Sequence, residues 1–90
     1  MQKTDIFSAL SDPSRRDIIS LLRQRDMTHG ELREHFDFTK PTMTHHLQIL
    51  RQSGLITVER KGKYKIYSLN VSVVEEITAM IINLFQKKQN

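Results

Sequence analysis

A mainly α domain carrying one small β-hairpin is the fold class this sequence predicts, and three observations predict it. Helix-opening signals recur along the chain, at Ser11-Asp12-Pro13, at the Thr28…Glu31 pair and at Thr39-Lys40-Pro41. Between Leu55 and Leu69 the pattern changes to β-branched and aromatic residues around the turn Arg60-Lys61-Gly62-Lys63. A further helical stretch follows, apolar on more than one stripe. Five helices with a basic hairpin set before the last is the order of a winged helix-turn-helix, dimeric through its terminal helices.

The elements follow in order. Asp5 to Leu10 reads as a short helix with Ile6, Phe7 and Leu10 on one face. Ser11 or Asp12 caps a second helix from Pro13 to about Arg23, with Ile18, Ile19, Leu21 and Leu22 as core candidates. Thr28 and Glu31 form a capping box that opens a short third helix through about His35, with Leu32 and Phe36 turned inward. Asp37 and Phe38 make the turn, and Thr39 caps the fourth helix. Gly54 ends that helix as a left-handed cap. Leu55–Arg60 and Lys63–Leu69 form the hairpin, with Tyr64, Ile66, Tyr67 and Leu69 packing it against the domain. Asn70 or Ser72 caps the last helix, which runs through about Lys87. Glu75 and Glu76 are expected in its first turn and Lys87 and Lys88 at its end. Ninety residues make one domain over 1–90, with dimerisation helices at about 5–11 and 71–87, the helix-turn-helix at about 28–53 and the wing at about 55–69.

Charge is distributed unevenly. The whole chain carries +4, yet Thr39 to Ser68 holds six basic residues against the single acid Glu59, a net of +5. A positive excess confined to one third of the sequence is the footprint of a nucleic-acid partner. The fourth helix sharpens this. Met43, His46, Leu47 and Leu50 share one side; Pro41, Thr44, His45, Gln48 and Gln52 fall on or near the other, which has no carboxylate. Such a helix approaches a polyanion without repulsion. Gln48 suits an adenine edge, His45 a guanine acceptor or a phosphate, and Thr42 and Thr44 a phosphate or a thymine methyl. Lys40 at the helix start and Arg51 further along complete the helix's DNA-binding set, and Lys61 and Lys63 at the wing tip hold flanking phosphates.

Other chemistry finds little support. There is no cysteine, no glycine-rich phosphate loop and no spaced carboxylate pair in an apolar setting, so an enzyme is not expected. Adjacent His45 and His46 point about 100° apart on a helix and cannot readily chelate one ion. His29 and His35 are badly spaced for it as well. His46 is expected to be half-buried and bonded to a backbone group. Arg15 and Arg16 are expected to pair with a carboxylate. No metal and no cofactor are expected. Met1 to Ser11 lacks the long apolar run of a secretory signal, and Val71 to Phe85 is too short and too polar to cross a bilayer. The expectation is a cytoplasmic, nucleoid-associated protein without membrane insertion.

The last helix carries more apolar surface than one core can use. Val74, Ile77, Met80, Ile81 and Leu84, joined by Ile6, Phe7 and Leu10, are the expected dimer interface. A two-fold pair sets two recognition helices about one DNA turn apart on a palindromic operator.

These residues resemble the ArsR/SmtB family of bacterial winged-helix repressors. The resemblance runs from Phe7-Ser8-Ala9-Leu10-Ser11-Asp12-Pro13-Ser14-Arg15-Arg16 to the last helix. It includes the stretch Lys40 to Arg51, then Ser53-Gly54-Leu55-Ile56, and the wing residues Arg60 to Lys63 followed by Tyr67-Ser68-Leu69-Asn70. Within that family it looks most like the small SdpR-like autorepressors. The resemblance implies a homodimer that binds operator DNA and represses transcription, here of its own operon. Many members release DNA on binding metal, but the family's cysteine motif would fall near Glu31 to Phe36, where there is none. The last helix also lacks the Asp and His ligands such a site needs. The expected signal is therefore a regulatory protein partner or the protein's own concentration. Two other readings share the fold: a protein-interaction module without sequence-specific DNA binding, and a metal-responsive repressor with ligands shared across the dimer.

Overall fold

The computed structural model describes residues 5–87; Lys88, expected at the end of the last helix, lies outside them. Five helices and three strands follow in the order α1 (Ile6–Leu10), α2 (Pro13–Gln24), β1 (Met27–Thr28), α3 (His29–Arg33), α4 (Lys40–Gln52), β2 (Ile56–Lys61), β3 (Tyr64–Leu69) and α5 (Val71–Phe85).

Local chemistry sets most boundaries. Asp5 caps α1, and Asp12 rather than Ser11 caps α2 by accepting from the Arg15 N–H at 3.0 Å. The capping box closes in both directions. Thr28 Oγ1 accepts from the Glu31 N–H at 3.1 Å, and Glu31 Oε1 accepts from the Thr28 N–H at 2.9 Å. Thr39 caps α4, and Gly54, with φ of 86°, lets the chain leave it. Asn70, not Ser72, caps α5.

Several expectations are corrected. The third helix stops at Arg33, two residues early; the amides of His35 and Phe36 bond three residues back instead, in a tighter turn. Because α5 begins at Val71 and ends at Phe85, Glu75 and Glu76 lie beyond its first turn and Lys87 past its end. Neither charge placement therefore meets the helix dipole. Both hairpin strands start one residue later than expected, and the second ends at Leu69 as expected. Lys61 pairs with Tyr64, leaving Gly62 and Lys63 as a two-residue turn, and Gly62 at φ 60° supplies the positive φ such a turn demands. The two-residue strand β1 has no counterpart in the sequence reading. Met27 pairs with Tyr67 and Thr28 with Ile66, giving an antiparallel sheet in the order β1-β3-β2.

The core lies where α2, α3, α4 and the sheet meet. Ile18, Leu22, Leu32, Met43, Leu47, Leu50, Leu55, Ile56 and Tyr67 are buried there. Ile19, Leu21, Phe36, Ile66 and Leu69 are half-buried, but Tyr64 stays exposed near the wing tip rather than packing inward.

Arg15 and Arg16 do not find carboxylate side chains to pair with. Arg15 Nε donates to the Ala9 carbonyl at 2.7 Å and Nη2 to Ser8 O at 3.3 Å, while Arg16 Nη1 donates to Leu10 O at 2.8 Å. A five-residue helix leaves its last carbonyls short of intrahelical donors; Ser11 serves Ser8 O, and the two guanidinium groups supply donors to the Ala9 and Leu10 carbonyls. Arg15 Nη1 also lies 3.4 Å from His46 Nδ1. His46 is half-buried as expected, but these side chains, not a backbone group, are its polar neighbours. It rests on the Phe38 ring with centroids 5.1 Å apart. Burial lowers its pKa, Asp12 opposes that, and Arg15 and His45 add to it. Asp12 Oδ2 stands 4.0 Å from Nδ1, but a ring held below its ordinary 6.5 is neutral at pH 7, so the contact is not an ion pair there.

Candidate nucleic-acid interface

One face of α4 builds the core and the opposite face meets solvent. Met43, Leu47 and Leu50 are buried, whereas Lys40, Pro41, Thr42, Thr44, His45, Gln48, Arg51 and Gln52 are exposed. This division is the one expected from the 3.6-residue period. The exposed face carries no Asp or Glu. Lys61 and Lys63 are exposed at the wing tip, and Lys63 Nζ lies 5.5 Å from the Tyr64 ring centroid, a cation–π distance.

Two of the hydroxyls have partners within the protein. Thr42 Oγ1 is 2.9 Å from the Thr39 hydroxyl at the cap, and Thr44 Oγ1 is 3.0 Å from His29 Nε2. Gln48, Arg51 and Gln52 line a shallow polar depression on the outer side of α4. A second hollow, between α4 and β3, is lined by Thr44, Leu47, Gln48, Arg51, Lys65 and Tyr67. It continues into a cleft of about 310 Å³ bordered by Lys40, Arg60, Lys63 and Lys65, with Thr28, His29 and Gly30 opposite. A cationic groove thus runs from the start of the recognition helix to the wing.

His29, Lys65 and Tyr67 belong to this groove, yet none of them is in the expected DNA-binding set. His29 is half-buried, packed edge-on against Tyr67 with centroids 6.4 Å apart. Burial lowers its pKa first; the charges of Arg33, Lys40 and Lys65 lower it further, against a hydrogen bond to its own backbone that raises it. Burial likewise pushes the Tyr67 phenol up, with Arg51 pulling the other way. The sequence signal available was Lys65, one of the six basic residues between Thr39 and Ser68; nothing local marks His29.

The expected dimer residues divide in two. Ile6, Leu10 and Val74 are half-buried against the domain's own core, and Ile77 is half-buried beside them. Phe7 is 52% exposed, Met80 42%, Ile81 38% and Leu84 71%, and no residue of α5 is buried. Among the described residues no group of three or more His, Cys, Asp or Glu is placed to hold a metal ion, and no helix is long and apolar enough to cross a membrane.

Known proteins match the whole of this arrangement. The profile "Bacterial regulatory protein, arsR family" matches residues 12–58, which span α2 to the first half of β2. The transcriptional repressor SdpR of Bacillus subtilis (strain 168) is 43% identical over 86 residues, covering 96% of each chain. An arsenical resistance operon repressor of Staphylococcus xylosus is 38% identical over 72 residues, covering 80% of this chain and 69% of that one. Among solved structures, the ArsR family transcriptional regulator RHA00566 superposes with a TM-score of 0.75 at 29% identity, covering 92% of this chain and 94% of that one. The fold is thus the winged helix-turn-helix, and the chain belongs to the arsR family of bacterial regulatory proteins, which are DNA-binding regulators of transcription and not enzymes.

Proposed function

We propose that the chain is a homodimeric repressor of its own operon, binding a palindromic operator. Lys40, Thr42, Thr44, His45, Gln48 and Arg51 face the major groove, and Lys61 and Lys63 hold flanking phosphates. The carrying observation is the outer face of α4, exposed and free of carboxylates while the inner face builds the core. The SdpR relative, with which the chain aligns almost end to end, is a transcriptional repressor. Dimerisation through α1 and α5 is supported by the apolar side chains those helices expose, Phe7, Met80, Ile81 and Leu84 above all. Apolar surface left over on α5, at Ile82 and Phe85, suits a regulatory protein partner. Action on DNA places the protein in the cytoplasm, at the nucleoid.

The test is fluorescence anisotropy with the promoter region of its own gene against a scrambled duplex. His45→Ala and Gln48→Ala are each expected to cost about 1–3 kcal/mol on the operator and to relax sequence preference. Unchanged operator binding by both variants would reject the assignment of α4. Sedimentation of the free protein as a monomer at every concentration would reject the dimer.

A further inference from the structure

The cleft between α4 and β3 has a composition that recognition-helix contacts do not explain. Its cations come from three elements: Lys40 from α4, Arg60 from β2, and Lys65 from β3, with Lys63 at the turn. No carboxylate lines it among the described residues. At its inner wall sits one group able to change charge near neutrality, the His29 imidazole, bonded to Thr44 at 3.0 Å. We propose that this cleft seats a single phosphate of the DNA backbone and that His29 takes up a proton from solvent as the phosphate arrives. The proposal rests on the DNA-binding reading above and adds to it a specific phosphate seat and a proton.

Charged groups from three elements surround His29. Arg33 stands one turn further along α3, and its buried Nε has no hydrogen-bond partner. Lys40 and Thr44 approach from α4, Lys65 and Tyr67 from β3, and Arg60, Lys63 and Tyr64 line the cleft beyond them. Glu31 is the nearest acid in sequence, but its carboxylate is held by the Thr28 N–H and by Arg25. In the free protein, burial and surrounding positive charge therefore keep the ring neutral at pH 7. A phosphate diester among these groups reverses the balance. It neutralises the lysines and sets a negative charge near the ring, so the imidazolium becomes the favoured form.

The Thr44 bond transmits that change. In the neutral tautomer that carries its proton on Nδ1, Nε2 accepts from the Thr44 hydroxyl. Protonation at Nε2 turns the ring into the donor. The Thr44 hydroxyl then accepts, and its own hydrogen is free to point at DNA. One proton thus adds a charge beneath the phosphate and re-aims a side chain on the recognition helix. By linkage, DNA is bound more tightly as pH falls.

The test uses the full chain, a labelled random-sequence duplex of about 30 base pairs and constant ionic strength, because a phosphate contact is independent of sequence. Between about pH 8 and about pH 6, the association constant of the wild type is expected to rise by about tenfold or more. His29→Asn, which keeps a hydrogen-bonding side chain of similar reach, is expected to flatten that rise. Calorimetry of the wild type in buffers of different ionisation enthalpy should show net proton uptake on binding, and that readout needs no variant. The His29 ring resonances should titrate at higher pH with duplex than with chloride. A full pH slope in a folded His29→Asn protein, or no proton uptake by the wild type, overturns the proposal while DNA binding stands. The same resonance displacement with inorganic phosphate alone overturns the assignment to DNA backbone. A wild type that binds no duplex at any pH overturns this proposal and the DNA-binding reading together.

Discussion

Removal of the Arg15 side chain tests how α1 is fastened to the rest of the domain. Three contacts would go, but they are unequal. The bond from Nε to Ala9 O is 2.7 Å, while those to Ser8 O and His46 Nδ1 are 3.3 and 3.4 Å. Contacts near the long limit contribute little. The short one comes from a charged donor, a class that contributes about 1.5–3 kcal/mol. Its acceptor belongs to a residue with no exposed surface, so water replaces the lost donor poorly. Arg15→Ala should therefore destabilise by about 2 kcal/mol. Arg16 is the internal control. Its bond to Leu10 O is nearly as short, 2.8 Å, but it is exposed, and water can stand in. Arg16→Ala should cost under about 1 kcal/mol. Urea unfolding followed by circular dichroism measures both, at one fixed protein concentration because the proposed dimer would add to apparent stability. Arg15→Lys should recover only part of the loss, since one ammonium cannot reach both carbonyls and the ring. Equal effects of Arg15→Ala and Arg16→Ala would refute the reasoning, as would an Arg15→Ala protein within about 0.5 kcal/mol of wild type.

Two further outcomes are expected. In a two-fold dimer Lys63→Gln removes two phosphate contacts, so the slope of log K against log salt should lose about 1.8 in magnitude, equally on operator and scrambled duplex. A loss confined to the operator, read by anisotropy over a salt series, would mean that Lys63 reads bases. Stability of the free protein should fall in acid in two stages. His29 and His46 are held below their ordinary 6.5, so the unfolded chain gains protons first and stability drops as pH falls below that value. Burial pushes the Asp12 carboxyl up, but the Arg15 N–H and the charges of Arg15 and His46 outweigh it and hold the group below 3.8. The Thr28 N–H and Arg25 hold Glu31 below 4.5. Lowered carboxylates stabilise the fold above those values, and that contribution is lost as pH falls through the lowered pKa values. Urea midpoints at about pH 7, 5 and 3 read both stages, and Asp12→Asn should weaken the second; the same decline in the variant would contradict this role for Asp12.

Features set by neighbours in sequence were legible. Asp12, Thr28 and Thr39 act as caps because each acceptor lies three residues from the amide it bonds, and Gly54 ends α4 for an equally local reason. The exposed face of α4 followed from periodicity alone. What escaped depends on distant partners. β1 has only two residues and exists because Tyr67 and Ile66 pair with it. Arg15 and Arg16 carry charge, so a carboxylate was the natural expectation. The orphan carbonyls of α1 attract them only once α1 folds back on α2. His29 looked like an isolated imidazole until Thr44, Tyr67 and Lys65 were brought beside it.

The sheet order carries a consequence for biosynthesis. Met27 lies opposite Tyr67 in the sheet, a partner that leaves the ribosome about forty residues later. Until β3 emerges, the stretch before α3 has no strand beside it, and His29 lacks the ring on which it rests. Truncation just after α4 would therefore yield no miniature reader of DNA, only helices with an unfinished seam. A working fold must include the wing, because the wing's second strand is also the central strand of the sheet against which α2 and α3 pack.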